Sequence, residues 1–140
     1  MSGCIFCKIV KGQIPCYKVY EDKDFLGFLD INPFNLGHSL IIPKKHIRWV
    51  WQKKNIGEYW QVANRVALAA METLGAFTVC FATAGFEIAH AHIHVIPRFK
   101  NDGHGEFLLP GNTKKISEKE MQKIAANILQ KTKDGGVLEK

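Results

Sequence analysis

The sequence predicts one domain that mixes strands with helices, and three observations predict it. Five short segments rich in β-branched and aromatic residues are spread along the chain, bounded by glycine, proline or polar turn residues. Two longer stretches repeat apolar residues at three- and four-residue steps, the period of one helix face. No linker, internal repeat or low-complexity segment divides the 140 residues, and that length suffices for a continuous core without staples. With 46% apolar and 23% charged residues, the composition is globular and excludes a disordered chain.

Cys4-Ile5-Phe6-Cys7 comes first, two thiols separated by two residues. Such a pair is a metal half-site, a redox pair or coincidence, and the short run to Gly12 leaves no room for the helix that a redox pair opens. Cys16 and Cys80 stand alone and read as packing residues. Lys18-Val19-Tyr20 and residues 25–30 form the first two strands, a hairpin around the charged turn Glu21-Asp22-Lys23-Asp24. Asp30, at the end of the second strand, is either a turn-former or an acceptor for ribose hydroxyls. Residues 37–43 make the third strand, closed by Pro43.

Lys44-Lys45-His46, Trp49 and Trp51 follow, the tryptophans reading either as an interaction surface or, the simpler expectation, as core packing. The best helix spans about residues 55–74, where Tyr59, Val62, Ala63, Val66, Ala70 and Leu74 share a face and Gly75 is the stop. Residues 76–84 form the fourth strand and residues 88–99 the fifth. Residues 101–115 are glycine-rich and polar, a loop over the site or a subunit contact. Ser117 to Glu120 is a capping box, opening a helix with Met121, Ile124, Ala125, Ile128 and Leu129 on one face and Gly135 and Gly136 at its end.

The fifth strand carries three of the six histidines, His90, His92 and His94, in strict alternation. If extended, it projects all three rings from one face, roughly 7 Å apart. Crowded imidazoles disfavour one another's protonation, and a neutral imidazole is both a nucleophile and a metal ligand. The net charge of +6 favours an anionic partner such as a nucleotide phosphate. Met1-Ser2-Gly3-Cys4 lacks a basic region followed by an apolar core, and no apolar run approaches the roughly 18 residues that cross a bilayer. The expectation is a cytoplasmic protein with no membrane partner, in which four cysteines point to metal rather than disulfides.

Taken together, C-x-x-C, Asp30-Ile31-Asn32-Pro33, the G-H-S-L-I-I-P-K-K-H run from Gly37 and the H-A-H-I-H-V-I-P-R run from His90 resemble the histidine triad (HIT) family of nucleotide hydrolases. The resemblance implies an α+β fold: a five-stranded antiparallel sheet with a long helix and a C-terminal helix, usually a homodimer. Residues 1–140 would be a single HIT domain, with 101–140 a loop plus C-terminal helix extension that carries no family signature. It also implies that His92 attacks the α-phosphorus of a nucleotide ester, anhydride or phosphoramidate, forming a nucleotidyl-imidazole that water opens. His94 and His38 would line the phosphate pocket, and His90 completes the catalytic set. Histidine at 94, where related transferases have glutamine, favours hydrolysis.

By the same resemblance a purine nucleotide rests its base among Ile5, Phe6, Ile9 and Phe28, with its ribose on Asp30 beside Ile31 and its phosphate at His92 and His94. Cys4, Cys7, His46 and His90 match a structural zinc site of some members, tetrahedral and closed to substrate. The 38 residues between Cys7 and His46 make it a staple across the fold rather than a zinc finger. One departure stands out: Thr83-Ala84-Gly85-Phe86-Glu87-Ile88-Ala89 replaces the polar loop with which the family touches phosphate, and Phe86 and Glu87 offer no side-chain donor.

Three other readings compete. A nucleotide-binding adaptor with little turnover is compatible with the altered loop. A metallohydrolase would have His90, His92 and His94 share one catalytic zinc, although rings along one strand face converge poorly. The charge permits nucleic-acid binding, but no nucleic-acid motif is present.

Overall fold

Alternation along the strands sorts the apolar side chains onto two faces, and each face finds its own cover. The structure, a computed structural model, describes residues 3–134; the expected helix end at Gly135 and Gly136 lies outside the described residues. The elements in chain order are α1 (Ile5–Val10), β1 (Lys18–Glu21), β2 (Phe25–Leu29), β3 (Ser39–Pro43), a 3₁₀ turn (Val50–Gln52), α2 (Ile56–Leu74), β4 (Thr78–Ala82), β5 (Ile93–Arg98) and α3 (Glu118–Asp134). The strands form one antiparallel sheet in the order β1-β2-β3-β5-β4, the α+β architecture that the resemblance implies.

On one face Phe25, Leu29, Ile41, Ile93 and Val95 meet Tyr59, Val62, Ala63, Val66 and Ala70 of α2 and Met121, Ile124, Ala125 and Ile128 of α3. The alanines let α2 lie close to the sheet, and the Tyr59 hydroxyl donates to the Ile41 carbonyl at 2.7 Å. Because α3 supplies four residues to this core, the C-terminal helix is packed into the domain. Its N-terminus is capped as expected, Ser117 Oγ accepting from the Glu120 amide at 3.2 Å. Gly75 ends α2 in the left-handed conformation at φ 73°.

On the other face Leu26, Phe28, Leu40 and Ile42 pack with Phe6 of α1. Register places His94 opposite Leu40, and Leu40 opposite Phe28, so all three share this face. Gly37, just before β3, has φ +82°, and a Cβ there would press on a Leu74 methyl, so a side chain at this turn would be strained where the chain enters β3 under α2.

Two expectations are corrected. Strand β5 begins at Ile93, not at residue 88, so only His94 of the three histidines lies in the sheet. The preceding segment is drawn off: the Ala91 amide donates to the Ile47 carbonyl at 2.8 Å, and His90 Nε2 donates to the Pro43 carbonyl at 2.8 Å. A side chain thus takes the last carbonyl of β3. Trp49 and Trp51 are not core residues. Their rings stack at 4.9 Å and 7°, with Trp51 69% exposed, because the chain after Pro43 leaves the sheet as a surface turn. No helix among the described residues is long and apolar enough to cross a membrane.

Candidate functional site

Hydrogen-bond partners decide which nitrogen of each histidine carries a proton, and they divide the histidines into two groups. A carbonyl can only accept, so the 2.8 Å contact between His92 Nδ1 and the His90 carbonyl makes Nδ1 the N–H and leaves the Nε2 lone pair uncommitted in the neutral ring. His38 is held the other way round. The Phe34 amide donates to its Nδ1 at 3.0 Å, so its Nε2 bears the proton and donates to His94 Nδ1 at 2.9 Å. His94 in turn must carry its proton on Nε2. Burial, then the neighbouring His94, pushes His38 down to about 3. Burial, then His92, pushes His94 down to about 4, so both rings are neutral at pH 7.

The turn that holds His38 is anchored by residues that the sequence analysis missed. Phe34 stacks on the His38 ring at 5.7 Å. Next to it, Asn35 Nδ2 donates to the Pro97 carbonyl and to Asp102 Oδ2, both at 2.9 Å. Arg98 grips the same carboxylate at 2.8 Å through Nε and 3.2 Å through its terminal nitrogen. Arg98 and the backbone amides of Phe99 and His104 hold the Asp102 carboxyl well below the usual range. The loop at 101–115 also reaches this turn, Lys114 Nζ donating to the Phe34 carbonyl at 3.1 Å. Only the buried setting marks these residues, since Asp102 beside Gly103 reads locally as an ordinary turn.

His92 and His94 line a cleft of about 710 Å³ between α1 and the sheet. Ile5, Phe6, Ile9, Phe28, Asp30 and Ile31 line it too, as do Ile14, Cys16, Tyr17 and the divergent loop from Ala84 to Ile88. Asp30 makes the turn bond, Oδ1 accepting from the Asn32 amide at 2.9 Å, while Oδ2 lies 3.6 Å from His38 Nε2. Burial raises the Asp30 carboxyl. Cys16, read as a packing residue, is half-buried in the cleft wall. His38 does not line the cleft as expected: it is 1% exposed and sits behind His94.

His90 is fully buried and faces away from the cleft lining. With Nε2–H committed to Pro43, its Nδ1 lone pair meets Cys4 Sγ at 3.4 Å and Cys7 Sγ at 3.6 Å. His46 Nδ1 lies 3.2 Å from Cys7 Sγ. The four donor atoms fall within 4.8 Å of one another. Ligands around a tetrahedral zinc stand roughly 3.3–3.8 Å apart, so the set fits such an ion. Cys4 caps α1 and accepts the Cys7 amide at 3.4 Å, which sets the two thiols one turn apart. His90, His92 and His94 do not form a common ligand set among the described residues, which removes the geometry that a shared catalytic zinc requires. The Phe6 ring joins the two groups, edge-on to His90 at 5.8 Å and to His92 at 5.4 Å.

Fold and site define an α+β domain with an uncommitted imidazole nitrogen beside an apolar cleft and a Cys₂His₂ cradle at its back. The sequence pattern described as HIT domain matches residues 11–101. An uncharacterised HIT-like protein of Borreliella burgdorferi is 41% identical over 114 residues, 75% of this chain and 82% of that one. The adenosine 5'-monophosphoramidase of Saccharomyces cerevisiae is 37% identical over 100 residues, 69% of this chain and 63% of that one. A solved structure of a zinc-bound histidine triad family protein from Mycobacterium smegmatis has a TM-score of 0.76 at 30% identity, covering 95% of each chain. This chain belongs to the HIT family.

Proposed function

We propose that this protein hydrolyses nucleotidyl conjugates at the α-phosphate through a covalent intermediate on His92. The observation that carries the reading is the bond from His92 Nδ1–H to the His90 carbonyl, which leaves Nε2 to attack phosphorus without first losing a proton. The P–Nε2 bond forms as the bond to the leaving group breaks, while the His94 Nε2–H donates a hydrogen bond to the departing atom, which takes its proton from solvent. Water then adds to phosphorus and loses its proton to solvent, and the nucleoside monophosphate leaves as the P–Nε2 bond breaks. His38 holds the His94 tautomer from behind. A purine base between Ile5, Phe6, Ile9 and Phe28, with ribose hydroxyls on Asp30 beside Ile31, is supported by the place of all six on the cleft wall. Phosphoramidates, dinucleoside polyphosphates and related conjugates all carry on the α-phosphorus a leaving group, joined through nitrogen or oxygen, that this chemistry displaces.

Cys4, Cys7, His46 and His90 would hold a structural zinc ion, which ties α1 to the segment that carries His90. The homodimer is supported by the edge strand β4, beside which Trp60, Phe77 and Phe81 are exposed. A binding module with little turnover has one observation in its favour, the exposed Phe86 and Glu87 where phosphate donors are expected.

The test is single-turnover hydrolysis of adenosine 5'-phosphoramidate and diadenosine tetraphosphate by the wild type, His92→Ala and His92→Gly. AMP release by the wild type, lost by roughly a thousandfold or more in variants that still bind AMP, is the expected result. A wild type that binds AMP but turns over neither compound gives the binding reading the lead.

A further inference from the structure

The chain carries a net charge of +6, yet no lysine or arginine lines the cleft among the described residues. The only acidic side chains on its wall are those of Asp30 and Glu87. His94 is held neutral by burial. Glu87 is exposed and none of the ion pairs among the described residues involves it.

The arginine nearest the loop is already used. Arg48 donates through one terminal nitrogen to the Gly85 carbonyl at 2.6 Å and to the Ile88 carbonyl at 3.3 Å, and its guanidinium lies 4.0 Å over the Trp49 ring. Gly85, at φ +79°, sits so close to Trp49 that a Cβ would come within 3.3 Å of the ring. Clamped at both ends, the loop keeps Phe86 and Glu87 at the cleft wall, and the cation that clamps it is not part of the cleft lining.

We propose that Glu87, on the loop clamped by Arg48 and Trp49, is a specificity-determining residue that selects leaving groups by charge, admitting neutral or cationic ones and disfavouring polyphosphates. This rests on the reading that the cleft binds a nucleotide at His92. The phosphate under attack carries its charge in every substrate, so it does not discriminate. A polyphosphate leaving group adds further anionic phosphates near a carboxylate, with no lysine or arginine on the cleft wall to offset them, and like charges brought together without compensation select against that partner. An amine or another uncharged leaving group avoids the penalty, and a cationic one gains from Glu87.

The experiment compares wild type, Glu87→Gln and Glu87→Lys in two ways at low and at physiological salt. The first is the ratio of kcat/KM for adenosine 5'-phosphoramidate over diadenosine tetraphosphate. The second is the ratio of affinities for AMP and ATP, measured by calorimetry and independent of turnover. The expected result is a wild type that prefers the less charged member of each pair. That preference should fall roughly two- to fivefold in Glu87→Gln and further in Glu87→Lys, with smaller differences at higher salt. A merely structural role would lower both members of a pair alike and leave the ratios unmoved. Ratios that stay constant across the three proteins overturn the proposal, as does a wild type that prefers ATP to AMP. If the wild type hydrolyses neither substrate, the hydrolase reading fails while the affinity ratio still decides the charge filter.

Discussion

His90 and His92 stand two residues apart, flank the same phenylalanine, and commit opposite ring nitrogens. His90 gives Nε2–H to the Pro43 carbonyl and turns Nδ1 toward two sulfurs; His92 gives Nδ1–H to the His90 carbonyl and keeps Nε2. The two clusters around them differ in the same sense. Cys4, Cys7, His46 and His90 bring together acceptor atoms that a bound ion would satisfy, whereas His38 and His92 donate hydrogen bonds to acceptors within the chain and His94 accepts one from His38. The role of a histidine is therefore set by the partner of its other nitrogen. The first cluster is proposed to close around a bound ion, and the second is held by a buried polar scaffold running from Arg98 through Asp102 and Asn35.

The largest effect should come from breaking that scaffold. Asp102→Ala leaves the Arg98 guanidinium and the Asn35 amide buried without their shared acceptor and should cost roughly 3–5 kcal/mol in urea unfolding. The His38 and His94 imidazole signals should shift in NMR spectra while metal content is unchanged; a loss below about 1 kcal/mol would mean that the second cluster does not depend on the scaffold.

Removing metal tests the opposite half. With zinc bound as proposed, a strong chelator should cost about 2–4 kcal/mol, read as a fall of several degrees in Tm. The His90 and His46 signals should change more than those of His38. A Tm that ignores the chelator in a protein shown to contain zinc would remove the distinction between the clusters.

Acid gives the smallest effect. His38 and His94 have folded-state pKa values near 3 and 4, below the unfolded value near 6.5. The unfolded chain therefore binds more protons below pH 6.5, and stability is complete above that pH and lost as pH falls toward 4 and 3. The loss between pH 7 and pH 6 should be about 1.5 kcal/mol for the two rings together. Asp30, raised by burial, opposes the trend near pH 4, and Asp102, held low by Arg98, reinforces it there. A His38→Asn variant with an unchanged acid limb would show that the buried pair is not its source.

Much of the fold was legible because it rests on local patterns. Alternating apolar residues marked the strands, the three- and four-residue repeat marked α2, and Ser117 and Gly75 marked helix ends through bonds made within a few positions. The histidine alternation marked the region of the site but misjudged its shape, since a strand over residues 88–99 needs a partner along its whole length. The Trp49 and Trp51 pair misled because an aromatic ring is as well satisfied by stacking on a neighbour as by burial in a core.

The order and chemistry of the elements, the presence of a histidine-rich site and the family itself were determined by the sequence alone, because they depend on residue type and short-range period. Tertiary structure alone decided which histidine does what. The acceptor for His90 is 47 residues away, the partner of His38 is 56 away, and the Asn35 to Asp102 bond spans 67. A proton's place on a ring is fixed by contacts of that range, and no local pattern encodes them.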